Sequence, residues 1–183
     1  MAYEHRWMMF VDGENLTIRG EAVAKKAAIK LEAKPDFYMP GAFLWVPGSN
    51  PASWPYHGSF IRAYYYTSMV GDEGKLVSAR DRLRAIGFDP QVFKKLSGTA
   101  KSKGVDITLT KDMLSHAFQN HYDRALLVAG DGDYIPLVQE VKRLGKLVSV
   151  MFFEDEGFNP ELRRVADQFH PLTGRFTSEW RRS

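Results

Sequence analysis

Cysteine is absent from this chain. Its absence excludes disulfide staples, thiolate zinc centres and cysteine nucleophiles together, and agrees with a reducing compartment. No apolar run approaches the roughly 20 residues that span a bilayer. The opening residues Met1-Ala2-Tyr3-Glu4-His5-Arg6 carry an acid and lead into an apolar run too short for a signal-peptide core. A cytoplasmic protein with no membrane partner is therefore expected. A strong charge bias is lacking too: 25 Lys and Arg against 22 Asp and Glu leave a net charge of +3, a weak pull toward polyanions. The glycines of Gly130-Asp131-Gly132-Asp133 lack the Gly-Lys-Ser/Thr of a phosphate-cradling P-loop. His116 and His121 are five apart on an expected helix, not the three or four that share a face, which argues against a zinc site.

What is present suffices for a core. The 183 residues are 44% hydrophobic and 26% charged, ordinary values for one globular domain. Short apolar runs predict strands near 7–11, 60–66, 88–96, 124–129 and 146–153, with Pro90 marking the third as an edge or an irregular start. Helical spacing predicts helices near 15–31, 72–86, 105–120, 133–144 and 160–166, and Gly87 and Gly145 close two of them. Strand and helix alternate, so the fold class is α/β: a single domain over 1–183 with a core near 7–153, and a three-layer, Rossmann-like arrangement around a mainly parallel sheet of about five strands. Prolines 35, 40, 47, 51 and 55 make 34–58 a long loop. A short apolar stretch at Phe169 and a basic tail over 171–183 follow. There is no internal repeat.

Chemistry concentrates in three islands: Phe10-Val11-Asp12-Gly13-Glu14-Asn15, Lys103-Gly104-Val105-Asp106, and Ala129-Gly130-Asp131-Gly132-Asp133-Tyr134. Two of them follow buried strands, where an open α/β sheet places its ligand crevice. Strands one and four are natural neighbours at such a switch point, which directs Asp12, Asp106, Asp131 and Asp133 into one cleft. Carboxylates gathered there repel one another unless a cation lies between them. Oxygen donors suit Mg²⁺ or Mn²⁺ better than zinc, and such ions serve phosphoryl transfer. The competing reading of Asp133 is a helix cap. Asp112 lies about 240° around the helix from Asp106, so it is read as a supporting or surface residue. Basic pairs at Lys94-Lys95, Lys101-Lys103, Arg163-Arg164 and Arg181-Arg182 are read first as solvated surface. Trp45, Trp54, Tyr56 and Tyr64–Tyr66 are read first as packing residues, the Trp45–Tyr56 stretch being the best placed of them to stack on bases.

The order strand-Asp-Gly-x-Asn, Lys-Gly-Val-Asp before a helix, then strand-Gly-Asp-Gly-Asp-Tyr with a proline two residues on, resembles the NYN-domain family of PIN-like nucleases over roughly Trp7 to Phe153. The resemblance implies a central parallel sheet and metal-dependent hydrolysis of RNA phosphodiesters. It makes Asp12, Asp106, Asp131 and Asp133 the catalytic, metal-binding cluster, with Asn15 orienting Asp12 or touching substrate and Lys103 meeting a phosphate. Lys101 beside it is read as a second backbone contact. Ala129 departs from the family's serine before Gly-Asp, removing a hydroxyl but no carboxylate. The expected function is an Mg²⁺- or Mn²⁺-dependent endoribonuclease acting on single-stranded or structured RNA, with a homodimer left open. The alternative is a non-catalytic RNA-binding or regulatory member of the family. A dehalogenase-type phosphohydrolase is disfavoured, because Glu14 stands where that chemistry needs a second aspartate.

Overall fold

The computed structural model describes residues 5–54, 58–97 and 103–182. Six parallel strands form the central sheet: β1 (Arg6–Asp12), β4 (Ser59–Met69), β5 (Asp89–Lys94), β6 (Arg124–Val128), β7 (Leu147–Phe152) and β8 (Gln168–Pro171), in the order β5-β4-β1-β6-β7-β8. A separate two-stranded hairpin pairs β2 (Tyr38–Met39) with β3 (Phe43–Leu44). The helices are α1 (Gly13–Lys26), α2 (Glu73–Ala85), α3 (Lys103–Phe118), α4 (Ile135–Arg143), α5 (Pro160–Val165) and α6 (Thr173–Arg181).

β1 has an unbroken apolar run because both of its faces are covered. Trp7, Met9 and Val11 enter one core layer with residues of α1, α2 and α6. Met8 and Phe10 enter the other, with residues of α3, α4 and α5. The period-two alternation of a strand thus divides one hydrophobic run between two cores. β4 and β5 are reached over the first face, and the chain then crosses to the second face through α3 before laying β6 beside β1. Val11 pairs with Val128 and Asp12 with Tyr66. The reversal between β1 and β6 opens the sheet's carboxyl edge there, the place where open α/β sheets bind ligands.

The five expected strands all join the sheet, and β5 with Pro90 is an edge. Four segments differ. A sixth strand, β8, adds beyond β7, and the basic tail becomes α6, whose Phe176 and Trp180 are buried. The proline-rich segment, over its described residues 34–54, joins the core rather than forming a free loop: Phe43, Leu44, Trp45 and Val46 are each at most 1% exposed. Finally, α1 ends at Lys26 rather than near Leu31. Ala28 takes a left-handed φ of 54° and Ile29 N–H turns back to the Ala24 carbonyl, a closure with no glycine to announce it.

Candidate active site

The first island is built by the end of β1 running directly into α1. Asp12 is 4% exposed, and its Oδ1 accepts the backbone N–H of Asn15 at 2.9 Å, capping α1. Gly13 permits this junction by close approach, not by an unusual backbone angle: a Cβ there would lie 2.0 Å from the Tyr65 ring. Gly130 is required for the same reason, against the ring of Phe152 at 2.4 Å.

Asn15 does not reach outward. Its Oδ1 accepts the backbone N–H of Gly130 at 3.0 Å, tying the first island to the loop after β6. In that loop Asp131 Oδ1 accepts the N–H of Asp133 at 3.0 Å, so Asp131 is the cap of the short turn that precedes α4, and Asp133 sits in its first turn. Both carboxylates are exposed. Ala129 is fully buried in the second core layer, where it contributes packing alone.

Asp106 lies in the first turn of α3. What joins it to Asp12 is Tyr134, a buried ring whose Oη lies 2.9 Å from Asp12 Oδ2 and 3.1 Å from Asp106 Oδ1. A phenol has one proton to donate. Both contacts are filled at once when the Asp12 carboxyl carries a second proton. The electrostatics agree. Burial, with repulsion from Asp106 and Glu14, outweighs the hydrogen bonds from Asn15 and Tyr134 and pushes Asp12 up from 3.8 to about 7. Burial likewise raises Asp106, and the charges of Asp131, Glu14 and Asp133 add to it. Tyr134 is held far above the ordinary phenol range by burial and by the two carboxylates, so it remains a neutral donor.

The three islands thus converge on one edge. Asp12 and Asp106 share a hydroxyl, and Asp131 and Asp133 lie near enough for their charges to act on Asp106. Among the described residues no lysine or arginine forms an ion pair with any of these four carboxylates. Their all-oxygen chemistry fits a hard divalent cation. In the arrangement shown, however, no three acidic or histidine side chains among the described residues converge closely enough to coordinate one. Tyr134 stands between the first two, and Asp131 is engaged with its own turn.

Lys101 lies outside the described residues, as does the side chain of Lys103. Asp112 accepts the Tyr66 hydroxyl at 3.0 Å and pairs with Lys111. Trp45 is buried against Phe88 and Trp54, and Trp54 is buried under Arg175, which removes both as base-stacking surfaces; Tyr56 is outside the described residues. His116 and His121, expected to be apart, meet with their Nδ1 atoms 2.8 Å from each other. The helix stops at Phe118, and Asn120, at a φ of 55°, folds the chain back so that His121 N–H bonds the His116 carbonyl. Sequence spacing missed Tyr134 as a site residue, because its ring satisfies the apolar face of the helix; the signal was a hydroxyl carried into that face, which needs a partner. It also passed over Glu14, which accepts from Ser68 Oγ at 3.1 Å and forms an ion pair with Lys95.

A parallel sheet with carboxylates from three segments at its switch point defines a class of α/β proteins whose chemistry sits at the carboxyl edge. The chain belongs to the NYN domain family, whose model matches residues 6–173. NYN domains are PIN-like nuclease domains. No curated protein matches the chain. Among solved structures, a protein of unknown function from Vibrio parahaemolyticus is similar, with a TM-score of 0.64 and 20% identity, covering 96% of this chain and 98% of that one. That likeness concerns the fold alone. Among the described residues no helix is long and apolar enough to cross a membrane.

Proposed function

We propose that this protein is a metal-dependent endoribonuclease that hydrolyses RNA phosphodiester bonds at the cluster of Asp12, Asp106, Asp131 and Asp133. The observation that carries this reading is the buried Asp12, joined to Asp106 through Tyr134 at the switch point, with no cationic side chain among the described residues to neutralise the pair. The four aspartates would hold Mg²⁺ or Mn²⁺, which when bound supplies Lewis-acid stabilisation of the charge on a transferring phosphoryl group.

The chain's own residues prepare that site. Asn15 fixes Asp12 through its backbone N–H and fixes the Gly130 loop through its side chain, so two carboxylate-bearing segments move as one. Tyr134 keeps a proton between Asp12 and Asp106, which relieves their repulsion when the cation is away. Lys101 and Lys103, at the entrance to α3, hold the RNA backbone in this reading, which makes binding sensitive to salt. The experiment is cleavage of end-labelled single-stranded RNA with Mn²⁺, with chelator, and with Asp12→Asn and Asp131→Asn. Cleavage by the wild type with Mn²⁺ alone, lost in both variants, is expected. Equal cleavage by all three proteins, or metal-independent RNA binding without turnover across varied RNAs, overturns the reading; the latter favours a regulatory RNA-binding role.

A further inference from the structure

A cleft of about 300 Å³ opens beside the acidic cluster, between the first half of α1, the carboxyl end of β4 and the turn at Pro40–Ala42. Its floor is polar. Glu14 accepts from Ser68 and pairs with Lys95, and Thr67 Oγ1 donates to the Ala42 carbonyl. Its rim is apolar and wet: Ile18 is 57% exposed and Val70 50% exposed. Two large aliphatic side chains facing water across a small cleft have no role in either core layer, and both line this cavity. Glu14 lies in the first turn of α1, two residues past Asp12, which caps that helix. The cleft and the cluster therefore meet at the start of α1.

Resting on the ribonuclease reading, we infer that this cleft receives one unpaired nucleobase of the RNA strand, next to the phosphate presented to the aspartates. The chemistry matches on each side. A nucleobase has two apolar faces and a polar edge. Ile18 and Val70 offer apolar surface to its faces, while the Glu14 carboxylate and the Lys95 ammonium place an acceptor and a donor side by side for its N–H and carbonyl groups. The volume lies at the lower end of small-molecule pockets, the size of one base with part of its sugar and too small for a duplex. A base seated there requires a strand that is single at that position, so the cleft selects unpaired RNA.

The test compares binding of two fluorescent oligoribonucleotides of equal length and phosphate count, one with its bases and one abasic at successive internal positions, by anisotropy in the presence of chelator. The wild type binds the base-bearing RNA about tenfold more tightly, the scale of one seated base. Ile18→Asn and Val70→Asn remove the apolar rim without adding charge, at exposed positions that leave the core intact, and they lose most of that difference. Equal binding of the two RNAs by the wild type, or unchanged discrimination in both variants, overturns the inference. The ribonuclease reading fails separately. Base-dependent binding without cleavage on adding Mn²⁺ removes the nuclease and keeps the cleft, cleavage with base-independent binding does the reverse, and base-independent binding together with no cleavage in Mn²⁺ removes both.

Discussion

Replacing Asp12 by Asn should make the metal-free protein more stable, at the cost of its chemistry. The side chain is almost wholly buried, and its carboxyl is raised from 3.8 to about 7. Each pH unit of such displacement corresponds to about 1.4 kcal/mol, so ionising Asp12 inside the fold costs roughly 4 kcal/mol relative to ionising it in the unfolded chain. The sign follows from proton counts. Between 3.8 and about 7 the unfolded chain has released this proton and the folded chain still holds it. Asp12's contribution is therefore fully present at the acid end, falls as pH rises through that window, and stays low above it. Asparagine keeps the contacts without the charge: its Oδ1 can take the Asn15 N–H, and its amide can donate to Tyr134 Oη while that hydroxyl donates to Asp106. The assay is urea unfolding of both proteins in chelator from pH 4 to 9. The variant should equal the wild type near pH 4 and exceed it by about 2–4 kcal/mol at pH 8, a midpoint difference on the order of 1–2 M urea. Mn²⁺ should stabilise the wild type at pH 8 and the variant much less. Parallel pH profiles for the two proteins, or a variant less stable than wild type at pH 8, would refute the reasoning.

Asn15→Ala should strand the buried Gly130 N–H and cost about 1–3 kcal/mol, seen as a lower unfolding midpoint and faster hydrogen exchange at Gly130, with cleavage weakened because the two loops are uncoupled; unchanged exchange at that amide counts against the clamp. Tyr134→Phe should cost about 1.5–3 kcal/mol at pH 8, where the lost donor faced charged acceptors, and less at pH 5. The pH–rate profile of the wild type should show no alkaline limb from a tyrosine near pH 10, because this phenol is held above that range; such a limb, abolished in the variant, would overturn its assignment as a neutral donor.

The parts of the fold that were legible in the sequence are those where one physical rule dominated. A run such as Trp7–Val11 has one stable placement, a strand buried on both faces, and the alternation of such runs with amphipathic helices implied the parallel sheet. The neighbouring of β1 and β6 followed from the switch-point rule and is observed. The rest depended on long-range contacts. β8 offers the single apolar residue Phe169 among polar ones, and it is a strand because β7 had an open edge. Phe176 and Trp180 are four apart, a helical signal overshadowed by the surrounding arginines, and they gain their place by packing toward Phe153. The proline-rich segment was recognisable as irregular, but Tyr38, Phe43, Trp45 and Trp54 are buried because they close the core over α1 and β4.

The candidate site divides along the same line, and the division says why so few residues carry it. Asp12 and Asp131 stood out because each follows a strand, and in the structure each also caps the turn or helix it begins. The cap reading of Asp133 is not met: Asp131 caps the turn, and Asp133 lies within it. Tyr134 could not be found by counting carboxylates, since it enters the site as a hydroxyl shared by two of them. Under the proposed function the acidic cluster must also survive without its metal, and a buried carboxylate there is destabilising at neutral pH. One hydroxyl between Asp12 and Asp106 and one retained proton reduce that cost. A divalent cation and that proton then compete for the same oxygens, so apparent metal affinity should climb with pH up to about 7, where Asp12 gives up its proton, and level off above it.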